Sequence, residues 1–173
     1  IVDNVHSTDF DHKIERAMVA IERALGVPVP VEIEKKFLVS LPLSDFYKYI
    51  APIARWSAIE QMYLKSPIGE RVRIRKRTFE SGHTLYHETK KRDIAPGKRY
   101  EVERQITQSE YNNLMTRFDS NTRIIKKTRY CFPYKHQYFE LDVFEEPCRM
   151  VLLEIELLDE NDPITLPPFL GNV

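Results

Sequence analysis

The sequence predicts an α+β protein built on an eight-stranded, mostly antiparallel β-barrel with a charged interior and flanking helices. Three observations lead to this fold class. Eight segments are rich in β-branched and aromatic residues and alternate apolar with charged side chains, which is the period of a strand. Turn-forming residues separate several segments, as in Ser66-Pro67-Ile68-Gly69 and Ser81-Gly82. The charges of each segment are largely of one sign, which is unusual for a face that meets only water.

The composition is that of an ordinary globular chain. Its 173 residues are 42% hydrophobic, with 26 Lys and Arg against 26 Asp and Glu. This balance disfavours a general binder of nucleic acid, which usually carries a basic excess. The sequence shows neither a membrane-spanning apolar run nor a signal peptide, and Cys131 and Cys148 lack metal-ligand spacing. The expected location is cytoplasmic.

Helices are predicted at three places. Residues 7–26 carry apolar side chains at helical spacing and are followed by prolines that prevent the helix from continuing. Residues 108–119 follow a capping-box pattern formed by Thr107 and Glu110. A short helix is predicted over residues 44–50.

The eight predicted strands fill most of the remaining chain. They are residues 31–39 (VEIEKKFLV), 58–65 (AIEQMYLK), 71–78 (RVRIRKRT), 84–91 (TLYHETKK), 98–106 (KRYEVERQI), 124–132 (IIKKTRYCF), 138–144 (YFELDVF) and 151–158 (VLLEIELL).

Charged residues recur at intervals of two along these strands, so each set shares one face. The sets are Glu32, Glu34 and Lys36; Arg71, Arg73 and Arg75; Glu101 and Glu103; Lys127 and Arg129; Glu140 and Asp142; and Glu154 and Glu156. Alternation alone is also expected of an antiparallel sheet with one solvated face, and therefore of a purely structural barrel. Segregation by sign in strand after strand indicates instead acidic and basic walls around an enclosed space.

A closed barrel supplies such a space, with its apolar faces outward beneath the helices. Burying these charges is costly unless something neutralises them. Mg²⁺ or Mn²⁺ suits carboxylate oxygens, and phosphate oxygens suit the paired donors of Arg. A chain of phosphates with bound metal therefore fits both walls.

The charged sets form a series of motifs in a definite order. They are E-x-E-x-K at Glu32, Glu34 and Lys36; R-x-R at Arg73 and Arg75; a strand lysine at Lys90; R-x-E-x-E at Arg99, Glu101 and Glu103; K-x-R at Lys127 and Arg129; E-x-D-x-F from Glu140 to Phe144; and E-x-E at Glu154 and Glu156. This series, over residues 31–157, resembles the CYTH or triphosphate tunnel metalloenzyme family. One motif by itself is weak, whereas the ordered series is specific.

The resemblance implies a barrel that binds a linear triphosphate and, in many members, hydrolyses it with Mg²⁺ or Mn²⁺. By this likeness the phosphate-binding residues are Lys36, Arg73, Arg75, Lys90, Lys127 and Arg129. The metal ligands are Glu32, Glu34 and Glu156, and the catalytic residues, which position a second metal or the attacking water, are Glu103, Asp142 and Glu154. Family members act on ATP as cyclases, on thiamine triphosphate or on tripolyphosphate, and the shared motifs do not select among these ligands.

The first 28 residues resemble the end of a P-loop domain that precedes a CYTH domain, which predicts a division into 1–28 and 29–173. No G-x-x-x-x-G-K-[ST] occurs in the chain, so the P-loop itself is not here. Such a fusion implies an alternative to hydrolysis. In that alternative, the barrel is a non-catalytic module that binds a nucleotide (ATP or GTP) or an anionic phospholipid headgroup, is peripheral to membranes, and regulates membrane-protein trafficking.

Two other features are expected to have ordinary structural roles. His83 and His87 are predicted to be neither zinc ligands nor catalytic, because no third ligand stands out. Trp56 is expected to pack in the core rather than to stack on a ligand.

Overall fold

The computed structural model describes residues 31–40, 42–95, 98–157 and 159–170. The side chains of residues 31–32, 43, 92–95 and 98–100 are outside this description. The predicted helix over 7–26 and the predicted division into 1–28 and 29–173 also fall outside it and stay predictions.

Eight strands and two helices are present, in an order close to the predicted one. They are β1 (Val31–Leu38), α1 (an α-helical turn Leu43–Asp45 continued by a π-helical turn Phe46–Ile50), β2 (Arg55–Leu64), β3 (Arg71–Phe79), β4 (Thr84–Ala95), β5 (Lys98–Ile106), α2 (Gln108–Met115), β6 (Ile125–Tyr134), β7 (Gln137–Glu146) and β8 (Met150–Leu157). A 3₁₀ turn, Pro168–Leu170, follows.

The strands form a closed barrel in the order β1-β5-β4-β3-β2-β6-β7-β8. The pairs whose register is described are all antiparallel. Consecutive strands are mostly neighbours, but β2 pairs with β6 and β1 pairs with β8. The predicted fold class, an α+β protein built on an eight-stranded, mostly antiparallel barrel, is confirmed.

Glycine supplies the backbone conformation required at two predicted turns. Gly69 and Gly82 have φ values of +86° and +84°, a region that side chains with a Cβ rarely adopt. These residues end the β2–β3 and β3–β4 connections, so the turns predicted from Pro67-Ile68-Gly69 and Ser81-Gly82 are present.

The apolar faces of the strands point outward and form two hydrophobic clusters. One cluster covers β6, β7 and β8 beneath α1 and the C-terminal turn; its buried members are Val39, Ile50, Phe132, Phe139, Leu141, Leu153, Ile155 and Leu170. The other covers β2 and β3 beneath α2; its buried members are Met62, Leu64, Val72, Ile74, Ile106 and Tyr111. The core therefore lies outside the barrel wall, between the strands and the covering segments.

Helix α2 begins with the predicted capping box. The Thr107 hydroxyl accepts a hydrogen bond from the Glu110 amide at 3.1 Å, and the Glu110 carboxylate accepts one from the Thr107 amide at 2.7 Å. The helix ends at Met115, four residues before the predicted end. The chain leaves the helix there because Phe118 forms a β-bridge with Leu64 on β2. In the described part of the chain, no helix has the length and apolar character needed to cross a membrane.

Candidate functional site: the charged barrel interior

The register of the strands shows which side chains share the barrel interior. Directly paired residues of neighbouring strands lie on the same face of a sheet. Arg73 is paired with Thr89, which is paired with Glu103. On the other side of the barrel, Arg129 is paired with Asp142. Because these residues are absent from both outer clusters and pair by charge, the charged face is the inner one.

One side of the interior, the β6–β8 wall, holds Lys127, Arg129, Glu140, Asp142 and Glu154. The Arg129 guanidinium donates two hydrogen bonds to Asp142, each of 2.7 Å, and one of 2.7 Å to Glu154. It also pairs closely with Glu140, and the Lys127 ammonium pairs with Asp142. Asp142 is fully buried, so its charge is balanced entirely by these cations.

Lys36 extends this network onto β1. Its ammonium lies 2.9 Å from the Glu34 carboxylate and pairs closely with Glu154. Burial opposes the charged form of Lys36, but the adjacent Glu154 and Glu34 carboxylates raise its pKa above the ordinary value. Lys36 therefore stays protonated and connects β1 to β8.

The facing side, the β3–β5 wall, holds Arg73, Arg75, Thr89, Lys91, Glu101 and Glu103. Its guanidinium contacts are longer: Arg73 lies 3.4 Å from Glu101, and Arg75 lies 4.0 Å from Glu103. The Thr89 hydroxyl donates a 2.8 Å hydrogen bond to Glu103.

Buried donors on this wall lack partners. The Nε atoms of Arg73 and Arg75 are inaccessible to solvent and have no hydrogen-bond partner in the described part of the chain. Neither does the side-chain carbonyl of Gln61, which is paired with Arg75 across β2 and β3. Buried polar atoms are normally bonded, and leaving one unsatisfied costs about 1–3 kcal/mol. The β3–β5 wall therefore has unused capacity to bind an anion.

The pKa shifts agree with an excess of positive charge near the centre. Burial and the neighbouring Arg73 lower the pKa of Arg75 to about 10. Burial and the neighbouring Arg129 lower the pKa of Lys127 to about 8. Both shifts show that the empty interior disfavours these positive charges. A bound anion would reverse that effect.

The carboxylates respond in the opposite direction. Burial alone would raise the pKa of Asp142, but the hydrogen bonds and charge of Arg129 hold it well below its usual value. Burial also opposes ionisation of Glu103, but Arg75, His87 and the Thr89 hydroxyl lower its pKa to about 2. Both carboxylates are therefore ionised at neutral pH.

Two of the three predicted metal ligands are paired in the structure. Glu34 on β1 lies directly opposite Glu156 on β8, on the inner face. Glu32 lies in β1, but its side chain is outside the described part. Carboxylate oxygens are the ligands that Mg²⁺ and Mn²⁺ prefer, so this donor chemistry fits the predicted metal. Within the described residues, no group of three or more His, Cys, Asp or Glu side chains is already arranged to hold an ion.

The structure corrects one predicted phosphate-binding residue. Lys90 is paired with Val72 and Val102, so it lies on the outer face, and it is exposed. The inward lysine of β4 is Lys91, which is paired with Arg71 and Glu101 and forms an ion pair with Glu101. The sequence places two lysines in succession, and only the register against β3 shows which one faces inward.

The remaining predicted site residues for which side chains are described lie on the inner face. These are Lys36, Arg73, Arg75, Lys127 and Arg129 among the predicted phosphate ligands, Glu34 and Glu156 among the metal ligands, and Glu103, Asp142 and Glu154 among the catalytic residues.

Four interior residues were not among the predicted site residues. His87, Thr89 and Lys91 follow each other at intervals of two along β4, and Glu140 precedes Asp142 by two on β7. Glu140 was detectable, because it shares the alternation of Asp142. His87 and Thr89 were not detectable, because a single histidine or threonine on a strand gives no charge pattern.

Trp56 also departs from expectation. It is 42% exposed on the outer face of β2, paired with Tyr130 of β6, so the predicted core position is wrong. Neither buried cluster extends over this part of β2, which leaves the indole at the surface. Trp56 is therefore not positioned to stack on a ligand inside the barrel.

Comparison with known proteins identifies the fold. The structure is similar to the PH1819 protein of Pyrococcus horikoshii, with a TM-score of 0.58 and 22% sequence identity over 75% of this chain and 80% of that one. It is also similar to a conserved hypothetical protein of Pyrococcus furiosus, with a TM-score of 0.53 and 24% identity over 75% and 80% of the two chains. A third similar structure is a Bacillus halodurans protein named "putative adenylate cyclase", with a TM-score of 0.52 and 15% identity over 75% and 81%.

Searches by sequence add nothing to this likeness. No protein-family model matches the chain, and no curated protein matches it. At these identities the structural similarities establish a shared fold, and function must be argued from the residues of this chain.

Proposed function

We propose that the barrel interior binds a triphosphate chain together with Mg²⁺ or Mn²⁺ and hydrolyses it, with tripolyphosphate or a nucleoside triphosphate as the substrate. The observation that carries this proposal is the pair of buried, unpartnered Nε donors on Arg73 and Arg75. They face a second cationic group, Lys127 and Arg129, across the same interior. The name of the similar Bacillus halodurans protein is consistent with a nucleotide as the ligand.

A phosphate chain matches this distribution of charge better than a single small anion does. Arg73 and Arg75 lie two residues apart on one wall, and Lys127 and Arg129 lie two residues apart on the other. Each guanidinium can donate two parallel hydrogen bonds to phosphate oxygens. Consecutive phosphates would thus meet cations on both sides and relieve the repulsion that lowers the pKa of Arg75 and Lys127.

Glu34 and Glu156, with Glu32, would hold the metal ion. When bound, the metal would neutralise phosphate charge and lower the pKa of a coordinated water. Lys36 pairs with Glu34 in the present structure and would turn toward phosphate oxygens when the metal takes over that carboxylate.

The protein contributes position and charge rather than a covalent nucleophile. Phosphoryl transfer depends mainly on holding the reacting groups in line and on neutralising the charge of the transferred group. Glu103 is ionised and fixed by Thr89, so it can accept a proton or a hydrogen bond from water at a defined place. Asp142 and Glu154 hold Arg129, and in this way orient a phosphate-binding guanidinium.

The direct test measures phosphate release and ligand binding side by side. The purified protein is incubated with tripolyphosphate, ATP and GTP, with Mg²⁺, with Mn²⁺ and with EDTA. Metal-dependent release is expected, and Glu34→Ala should abolish it without unfolding the protein. Glu70→Ala is the matched control, because Glu70 is an exposed carboxylate in the β2–β3 connection. Unchanged release in Glu34→Ala would contradict the proposal.

A second candidate function is binding without hydrolysis. It is favoured by the observation that Asp142 and Glu154 already serve as counter-ions of Lys127, Arg129 and Lys36. In that case the interior would capture a nucleotide or an anionic phospholipid headgroup, as a module that regulates membrane-protein trafficking. Binding with no phosphate release under any metal condition would support this function. Liposomes with and without anionic lipid would separate the two ligand sources.

A further inference from the structure

One end of the barrel interior is apolar rather than charged. At this end β1 and β7 finish and β6 and β8 begin. Five inward positions there carry apolar side chains, which we call the apolar rim: Leu38, Ile125, Phe144, Met150 and Leu152.

The register places the rim on the inner face. Leu38 is paired with Leu152, which is paired in turn with the inward Asp142. Phe144 is paired with the inward Lys127 on one side and with Met150 on the other. The rim is therefore continuous with the charged interior and does not belong to the outer surface.

Core packing does not account for these residues. None of them belongs to either hydrophobic cluster, and Leu38 is 66% exposed although it is large and apolar. Phe144, Met150 and Leu152 are only half-buried. Adjacent exposed apolar side chains beside a polar site are typical of a ligand-binding surface.

The rim adjoins a phosphate-binding cation. The Lys127 ammonium lies 5.0 Å from the centre of the Phe144 ring, within the range of a cation–π contact. A ligand whose phosphates reach Lys127 would therefore have its next atoms beside Phe144 and Met150. Inorganic tripolyphosphate has nothing to place there, whereas an organic ester does.

We propose that the apolar rim binds an apolar or aromatic group attached to the phosphate chain, so that the preferred ligand is an organic triphosphate rather than inorganic tripolyphosphate. This inference rests on the proposed function and narrows its ligand class. Covering the rim would remove apolar surface from water, and a contact of this size typically changes affinity by about 10–200-fold.

The test compares three probes by calorimetric titration in Mg²⁺, with phosphate release followed in parallel. Tripolyphosphate carries no organic group, ATP carries an aromatic base, and the triphosphate ester of hexanol carries an aliphatic chain. At least one of the two esters should bind about 10-fold more tightly than tripolyphosphate. The tighter ester identifies whether the group is aromatic or aliphatic.

A rim variant locates the preference. The double variant Met150→Gln, Leu152→Gln should reduce the affinity for the preferred ester about 10-fold and leave tripolyphosphate unchanged. Ile68→Gln is the matched control, since Ile68 is a fully exposed apolar residue in the β2–β3 connection. If the double variant loses its cooperative thermal transition, Met150→Ala replaces it in the same comparison.

The outcomes separate the two proposals. Equal affinity for all three probes, or an equal loss for ester and tripolyphosphate in the rim variant, would overturn the role of the rim and leave the proposed function intact. Failure of every probe to bind would overturn both.

Discussion

The two walls of the barrel interior carry similar charges but satisfy them differently. On the β6–β8 wall, Arg129 is held by three carboxylates and Lys127 by one. On the β3–β5 wall, Arg73 and Arg75 reach their carboxylates only at 3.4 and 4.0 Å, and their Nε atoms have no partner in the described part of the chain.

This difference separates the structural from the ligand-binding part of the charge. A buried ion pair with good hydrogen bonds offsets its own desolvation and fixes the geometry of the strands around it. A buried cation without such bonds costs stability until a ligand supplies the missing acceptors. We therefore expect the β6–β8 wall to govern stability and the β3–β5 wall to govern affinity.

The largest expected effect is on stability, from Asp142→Ala. This change leaves Lys127 and Arg129 buried without a shared counter-ion, and breaking a buried pair in this way costs about 3–5 kcal/mol. Urea unfolding followed by circular dichroism measures the loss. Glu145→Ala, which removes an exposed carboxylate three residues away on the same strand, should cost less than about 1 kcal/mol. A loss of similar size in both variants would contradict the assignment of the β6–β8 wall.

The next effect is on affinity, from the double variant Arg73→Gln, Arg75→Gln. Losing two charge-assisted contacts, each worth about 1.5–3 kcal/mol, should weaken triphosphate binding at least about 100-fold. The free energy of unfolding should stay the same or rise, because two unsatisfied buried cations are removed. Lys76→Gln is the matched control, since Lys76 lies next to Arg75 on the exposed outer face. Unaltered affinity in the double variant would favour a purely structural charged face.

A smaller effect is expected from the neighbouring lysines of β4. Lys91→Gln should weaken triphosphate binding about 10-fold, because Lys91 faces the interior beside Arg71 and Glu101. Lys90→Gln should leave binding unchanged, because Lys90 is exposed on the outer face. Isothermal titration of the two variants against the same ligand gives the comparison. The reverse ranking would show that the register of β4 is incorrect.

The smallest effect is a pH dependence that comes from Lys127. Its pKa of about 8 means that it loses its proton as the pH rises through 8, and a bound phosphate favours the protonated form. Triphosphate affinity should therefore fall between pH 7.5 and 9, with a limit of about tenfold per pH unit. Lys127→Met should bind more weakly at pH 7.5 and lack this part of the decline. Titrations of both proteins across the range cancel the ionisation of the ligand itself, and parallel curves would rule out a role for Lys127.

Much of the fold and of the candidate site was predictable from the sequence, because the relevant signals are local. Period-two alternation identified the strands and placed Arg73 with Arg75, Lys127 with Arg129, and Glu154 with Glu156. The capping box of Thr107 and Glu110 located the start of α2. The end of α2 was not predictable, because it is set by the bridge between Phe118 and Leu64, which are distant in the sequence.

By itself, the sequence determined that the protein has strands with charged inner faces and apolar outer faces, since side-chain alternation is a property of each strand alone. Only the tertiary structure decided which charges meet. Pairing β2 with β6 and β1 with β8 brought Lys36, Arg129 and Glu154 into one network, and the register of β4 selected Lys91 over Lys90. The physical reason is that electrostatic satisfaction depends on distances between strands, and those distances are fixed only when the barrel closes. For the same reason, the unsatisfied Arg73 and Arg75 and the apolar rim became visible only in the folded chain.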